Sequence, residues 1–175
     1  MADLMFAGTG GQGVLTAGKI LIKIAAENGK NVCWTSEYSA EMRGGSALCR
    51  VVISDEEIGT PYPNELDVLC CMTEASYEKY AEQVLEGGTV VINTSLIGKR
   101  EYPERIHVYG VDAMTIAHEA ENPRGANIAM LGAMIKATGM LEAEKFEHAL
   151  EIYYGSKGAG NVKCFRLGYQ RASQL

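Results

Sequence analysis

No stretch of this 175-residue sequence comes near the roughly 20 consecutive apolar residues needed to span a bilayer, so no membrane-crossing helix is expected. A secretory leader is not expected either, because Asp3 and the glycines from Gly8 interrupt the apolar start before a signal core can form. Positive charge is scarce. The 16 Lys and Arg are outnumbered by 22 Asp and Glu, giving a formal net charge of -6, the wrong balance for a broad nucleic-acid footprint. The five cysteines (Cys33, Cys49, Cys70, Cys71 and Cys164) contain no Cys-x-x-Cys, and Cys70 and Cys71, as neighbours on a strand, would leave opposite faces. That spacing makes neither an iron–sulfur cluster nor a standard zinc site, and His107, His118 and His148 share no short motif with a cysteine. An odd number of thiols, mostly inside apolar runs, fits buried reduced cysteines and a cytoplasmic protein.

What is present is the composition of one soluble domain: 47% apolar and 22% charged residues, with no repeat, low-complexity segment or linker. Leu4 to Ala7 reads as a first strand. From Val14 the pattern turns helical, with Val14, Ala17, Leu21, Ile24 and Ala25 on one face, and Asn28-Gly29 stops it. Strands are expected at 31–35, 47–53, 67–72, 89–93 and 106–109. Helices are expected from Thr73 as N-cap to Leu85, ended by Gly87-Gly88; from Asp112 as N-cap to Glu121; and over 127–138, 142–154 and 161–173. The fold class is therefore α/β: a single three-layer α/β/α domain over residues 1–175, with a mixed, mainly parallel sheet and a helical last third. In the helix over 127–138, Ala129, Gly132, Ala133 and Ala137 would allow a neighbour to approach closely.

Two segments carry chemistry. Gly8-Thr9-Gly10-Gly11-Gln12-Gly13 lies between the first strand and the first helix, where glycines permit positive φ and bring backbone N–H groups close to an anion at the helix's positive end. The spacing satisfies G-x-G-x-x-G, although a tight turn against the sheet would need glycines too. An ordinary nicotinamide site is disfavoured. The second strand carries no acid before Glu37, which falls beyond its expected end, and it leads to loop and strand instead of a second crossover helix. The other segment is Tyr38 to Ser46, where Arg43 precedes Gly44-Gly45. A guanidinium there suits a carboxylate, a phosphate or a partner subunit, while an internal ion pair with Glu37 or Glu41 would also explain it. Neither segment offers a nucleophile with its base, so no catalytic residue and no metal ligand is assigned.

Together, the glycine run, the Tyr38-to-Ser46 segment with Glu41-Met42-Arg43-Gly44-Gly45, a turn represented by Ser54, Ile58 and Pro61, and the later Asn127-Ile128-Ala129-Met130-Leu131-Gly132-Ala133 resemble the gamma subunit of 2-oxoacid:ferredoxin oxidoreductases. The resemblance covers essentially the whole chain. It implies a subunit of a complex that oxidatively decarboxylates a 2-oxoacid to an acyl-coenzyme A while reducing ferredoxin. Thiamine diphosphate and the iron–sulfur clusters would reside on companion alpha, beta and ferredoxin-like delta subunits, with self-association an option for the isolated chain. It further implies that Gly8, Thr9, Gly10, Gly11, Gln12 and Gly13, with Arg43, face the phosphates of coenzyme A. Tyr38, Glu41, Gly44 and Gly45 would order the adjoining loop or touch a partner. The competing readings are a nicotinamide-dependent oxidoreductase and a purely structural subunit of the same complex.

Overall fold

Residues alternate sides along an extended chain, and the first strand, β1 (Ala2–Thr9), is apolar on both. Leu4 and Phe6 enter one buried cluster, Met5 and Ala7 another on the opposite face. This strand is interior to the sheet, between β3 and β4. The computed structural model describes residues 1–38, 45–59 and 65–175, and among them seven strands form one sheet in the order β2-β3-β1-β4-β5-β6-β7. β2 (Asn31–Tyr38) and β3 (Ser46–Ser54) form an antiparallel pair, and β3 lies antiparallel to β1. β4 (Leu66–Cys71), β5 (Val84–Asn93) and β6 (His107–Val111) continue from β1 in parallel, and the short β7 (Ser173–Gln174) closes the edge antiparallel to β6.

The two faces are covered unequally. The larger core packs the sheet against α1 (Val14–Glu27), α3 (Ala113–Glu119), α4 (Ala126–Thr138), α5 (Ala143–Tyr154) and α6 (Ala159–Arg171). The smaller one uses α2 (Glu74–Tyr80) and the β5–β6 connection, through Tyr77, Tyr80, Ile97 and Ile106. All five residues expected on the inner face of α1 are buried, and Gly29 takes a left-handed φ of 79° just past its end. Thr73 and Asp112 cap α2 and α3 as their sequences imply. In α4 the small residues meet α6. A Cβ on Gly132 would stand 2.2 Å from the Phe165 carbonyl oxygen, and one on Gly168 would stand 2.1 Å from that of Ala129.

Three local expectations are corrected. The helix after Thr73 ends at Tyr80, and after one 3-10 turn the chain enters β5 at Val84, so Gly87-Gly88 lies inside a strand. Leu66 pairs with Val84 but Val68 with Thr89, and the irregularity is taken up by Gly87, whose φ is 76° and whose N–H donates to the Arg105 carbonyl at 2.7 Å. The last helix stops at Arg171, because Ser173 and Gln174 find partners on the edge of β6. Finally, β2 runs to Tyr38, so Glu37 is a strand residue. Pairing with β3 along its whole length extends it.

The thiols follow burial. Cys49, Cys70, Cys71 and Cys164 are buried, and loss of hydration pushes Cys49 and Cys164 up to about 11, Cys71 to about 12, and Cys70 well above its ordinary value. Cys33 is half-buried on the outermost strand. In the folded protein at neutral pH, a maleimide should therefore modify Cys33 first and alone, with all five reacting after unfolding. Mass spectrometry of the time course checks this, and a second fast site would contradict it.

Candidate functional site

The glycine run is the connection from β1 to α1, and its geometry explains most of its glycines. Gly11 and Gly13 have φ of 87° and 75°, the left-handed region where a side chain is strained. Gly8 and Gly10 are needed for room. A Cβ on Gly8 would lie 2.5 Å from Gln12 Oε1 and 2.8 Å from Met72 Cβ, and one on Gly10 would lie 2.5 Å from the Tyr38 hydroxyl. Only at Gly11 is the space open, with nothing within 4 Å. The loop is tied internally. The Thr9 N–H donates to Gln12 Oε1 at 2.8 Å, so that oxygen is turned into the loop, and the Gly10 N–H donates to the Gly45 carbonyl at 3.0 Å.

Gly13 is the N-cap of α1, with no side-chain cap and no acid in the first turn. The first-turn N–H groups of a helix have no partner within it, and they carry the positive end of the helix dipole. Here they open at the end of a parallel strand, where α/β sheets hold anions. Neither lysine of α1 serves this point. Lys19 lies over the Trp34 ring at 5.2 Å from its centroid, and Lys23 over Tyr153 at 4.8 Å. Beneath the first turn, the Cys49 thiol donates to the Val14 carbonyl at 3.5 Å.

Of the residues expected at the site, the structure gathers Gly8 to Gly13, Tyr38 and Gly45. The register places Thr9 opposite Ser46 and Tyr38 opposite Ala47, so both ends of the β2–β3 hairpin reach the glycine loop. Tyr38 is 62% exposed there. Glu41, Arg43 and Gly44 lie outside the described residues. One neighbour was missed as a site residue: Asn127, near the start of α4, donates from Nδ2 to the Gly13 carbonyl at 3.0 Å across 114 positions of sequence. A polar residue opening a helix of small apolar side chains was the available signal, but nothing in sequence reveals which loop it reaches. Thr9, Gln12 and Asn127 supply hydrogen bonds at the loop, and neither they nor Tyr38 pair a nucleophile with a base. Among the described residues no group of three or more His, Cys, Asp and Glu could hold a metal, and no helix is long and apolar enough to cross a membrane.

The same edge of the sheet carries a cleft of about 770 Å³ past the ends of β5 and β6, lined by Thr94, Ile97, Lys99, Tyr102, Asp112 and Arg171 among others. Arg100 at its wall pairs with Glu74 and stacks over Tyr77. The Asp112 carboxyl is held below its usual range, chiefly by the hydrogen bond from Ser95 and then by its capping contacts to Thr115.

A glycine-rich strand–helix loop on a sheet in which antiparallel β3 separates β1 from β2 defines an α/β domain without the βαβαβ unit of a nicotinamide half-site. The chain belongs to the pyruvate ferredoxin/flavodoxin oxidoreductase family, whose model matches residues 3–171. Within that family it is a gamma-type subunit. It is 35% identical over 178 residues to the 2-oxoglutarate synthase subunit KorC of Methanocaldococcus jannaschii, covering 99% of this chain and 95% of that one. The solved gamma subunit of a keto/oxoacid ferredoxin oxidoreductase from Geobacter sulfurreducens PCA superposes with a TM-score of 0.82 at 28% identity, covering 97% of each chain. The 2-oxoglutarate:ferredoxin oxidoreductase of Magnetococcus marinus, solved with 2-oxoglutarate, coenzyme A and succinyl-CoA bound, shares the fold with a TM-score of 0.84 at 24% identity. This chain matches 32% of that longer polypeptide.

Proposed function

We propose that this subunit binds the phosphates of coenzyme A at Gly8–Gly13, within a cytoplasmic complex that converts a 2-oxoacid to an acyl-coenzyme A and carbon dioxide and passes electrons to ferredoxin. The observation that carries the reading is the uncapped, acid-free start of α1, approached through a loop whose outermost glycine faces open space. A diphosphate-bearing acceptor needs donors and a positive pole more than a reactive side chain. Thiamine diphosphate and iron–sulfur clusters would be held by alpha, beta and delta companions, and the isolated chain would be inactive. The coenzyme A in the Magnetococcus structure supports the ligand class. A second reading, a purely structural subunit, has one observation in its favour. Gly8 and Gly10 are required by packing whether or not a ligand is present.

Calorimetric titration of the assembled complex with coenzyme A, and separately with NADH, distinguishes the readings. Coenzyme A alone should bind. NADH binding would revive the nicotinamide alternative, and binding of neither would favour the structural one. Titrating the isolated chain in parallel shows whether partners complete the site.

A further inference from the structure

The side-chain amide of Asn127 is only half used. Its Nδ2 donates to the Gly13 carbonyl at 3.0 Å, while Oδ1 is buried and has no hydrogen-bond partner, in a residue that is 4% exposed. Exchanging the two atoms would set one acceptor against another at Gly13, so the assignment is fixed by the network. A buried amide oxygen with no donor is costly, and native structures rarely leave one. This one lies where two helix starts meet. Gly13 caps α1 and Gly125 caps α4; neither helix has a side-chain cap or an acid in its first turn. Asn127, the second residue of α4, is the strut between them. The amide is packed so tightly against Gly13 that a Cβ there would fall 2.5 Å from Nδ2 and 2.8 Å from Cγ.

An anion at the α1 amides would thus lie beside an acceptor that cannot itself contact phosphate and demands an N–H or O–H. We propose that Asn127 is a specificity-determining residue of this site: its Oδ1 accepts a hydrogen bond from an amide N–H or hydroxyl on an arm that the ligand carries beyond its diphosphate, on the side away from the nucleoside. The pantetheine arm of coenzyme A has both groups, and a plain nucleoside diphosphate lacks that arm. The inference rests on the glycine loop being the phosphate site.

The test compares coenzyme A with ADP on the assembled complex. In the Asn127→Ala complex, coenzyme A should bind on the order of tenfold more weakly while ADP changes by less than about twofold, shrinking the preference between them. Equal losses for both ligands, or an unchanged preference, would overturn the inference and leave Asn127 a prop for Gly13. Gly11→Asp separates the two levels of the argument, because a carboxylate beside the phosphates should weaken both ligands together. If it weakens neither, the phosphate site itself is wrong; if it weakens both while Asn127→Ala does not discriminate, only the role of Asn127 fails. Thermal melting of the isolated variant reports folding. Should Asn127→Ala unfold, Asn127→Ser, which keeps a hydroxyl near Gly13, carries the same comparison.

Discussion

Gly11→Asp in the assembled complex should raise the coenzyme A concentration for half-saturation on the order of tenfold to a hundredfold, while Gly11→Asn changes it only a few-fold. Gly11 is the informative position because its surroundings are open, so a new side chain displaces nothing in the protein. Its φ of 87° favours glycine, but Asn and Asp tolerate left-handed backbone better than other residues, and the two variants share that strain. Their difference is one negative charge. At about 6 Å from a phosphate and an effective dielectric near 20, that charge costs about 2–3 kcal/mol, which sets the expected factor. Gly10 would be a poorer choice, since a Cβ there runs into Tyr38. Steady-state kinetics with varied coenzyme A measures the effect, and equal behaviour of the Asp and Asn variants would place the phosphates elsewhere.

The largest effect on stability is expected from Gly168→Ala. Its Cβ would be built 2.1 Å from the Ala129 carbonyl oxygen, a backbone atom that no rotamer change can move aside. Only separation of α4 from α6 relieves the clash, and these helices carry Ala129, Ala133, Val162 and Phe165 of the larger core. Overpacking of this kind costs about 1–3 kcal/mol where side chains can adjust and more where they cannot, against a typical domain stability of about 5–15 kcal/mol. We expect a loss of at least about 3 kcal/mol in urea unfolding, and the same for Gly132→Ala. Gly98→Ala, whose new methyl would meet nothing within 4 Å, is the control and should stay within about 0.5 kcal/mol. A Gly168 variant as stable as that control would mean that the helices do not pack at van der Waals limits.

Much of the architecture was legible because it is written in local patterns. The inner face of α1, the caps Thr73 and Asp112, and the strand–glycine–helix unit each depend on residues within a few positions of one another. The failures have a common cause. Gly87-Gly88 resembles a helix stop, but the long-range pairing of β5 with β4 makes it an irregularity inside a strand. Ser173 looks like the continuation of α6 until β6 offers its free edge. Glu37 belongs to β2 only because β3 is there to pair with it.

The sequence alone determined the fold class, the family and the glycine-rich loop between the first strand and the first helix where the anion site is proposed, since backbone freedom at glycine and the polarity of a helix start are local properties. Tertiary structure decided which glycines are needed by packing and which face open space, and it brought Tyr38, Gly45 and Asn127 to the loop. Contacts between residues as far apart as Gly13 and Asn127 arise from how helices lie across a sheet, and no spacing along the chain encodes them.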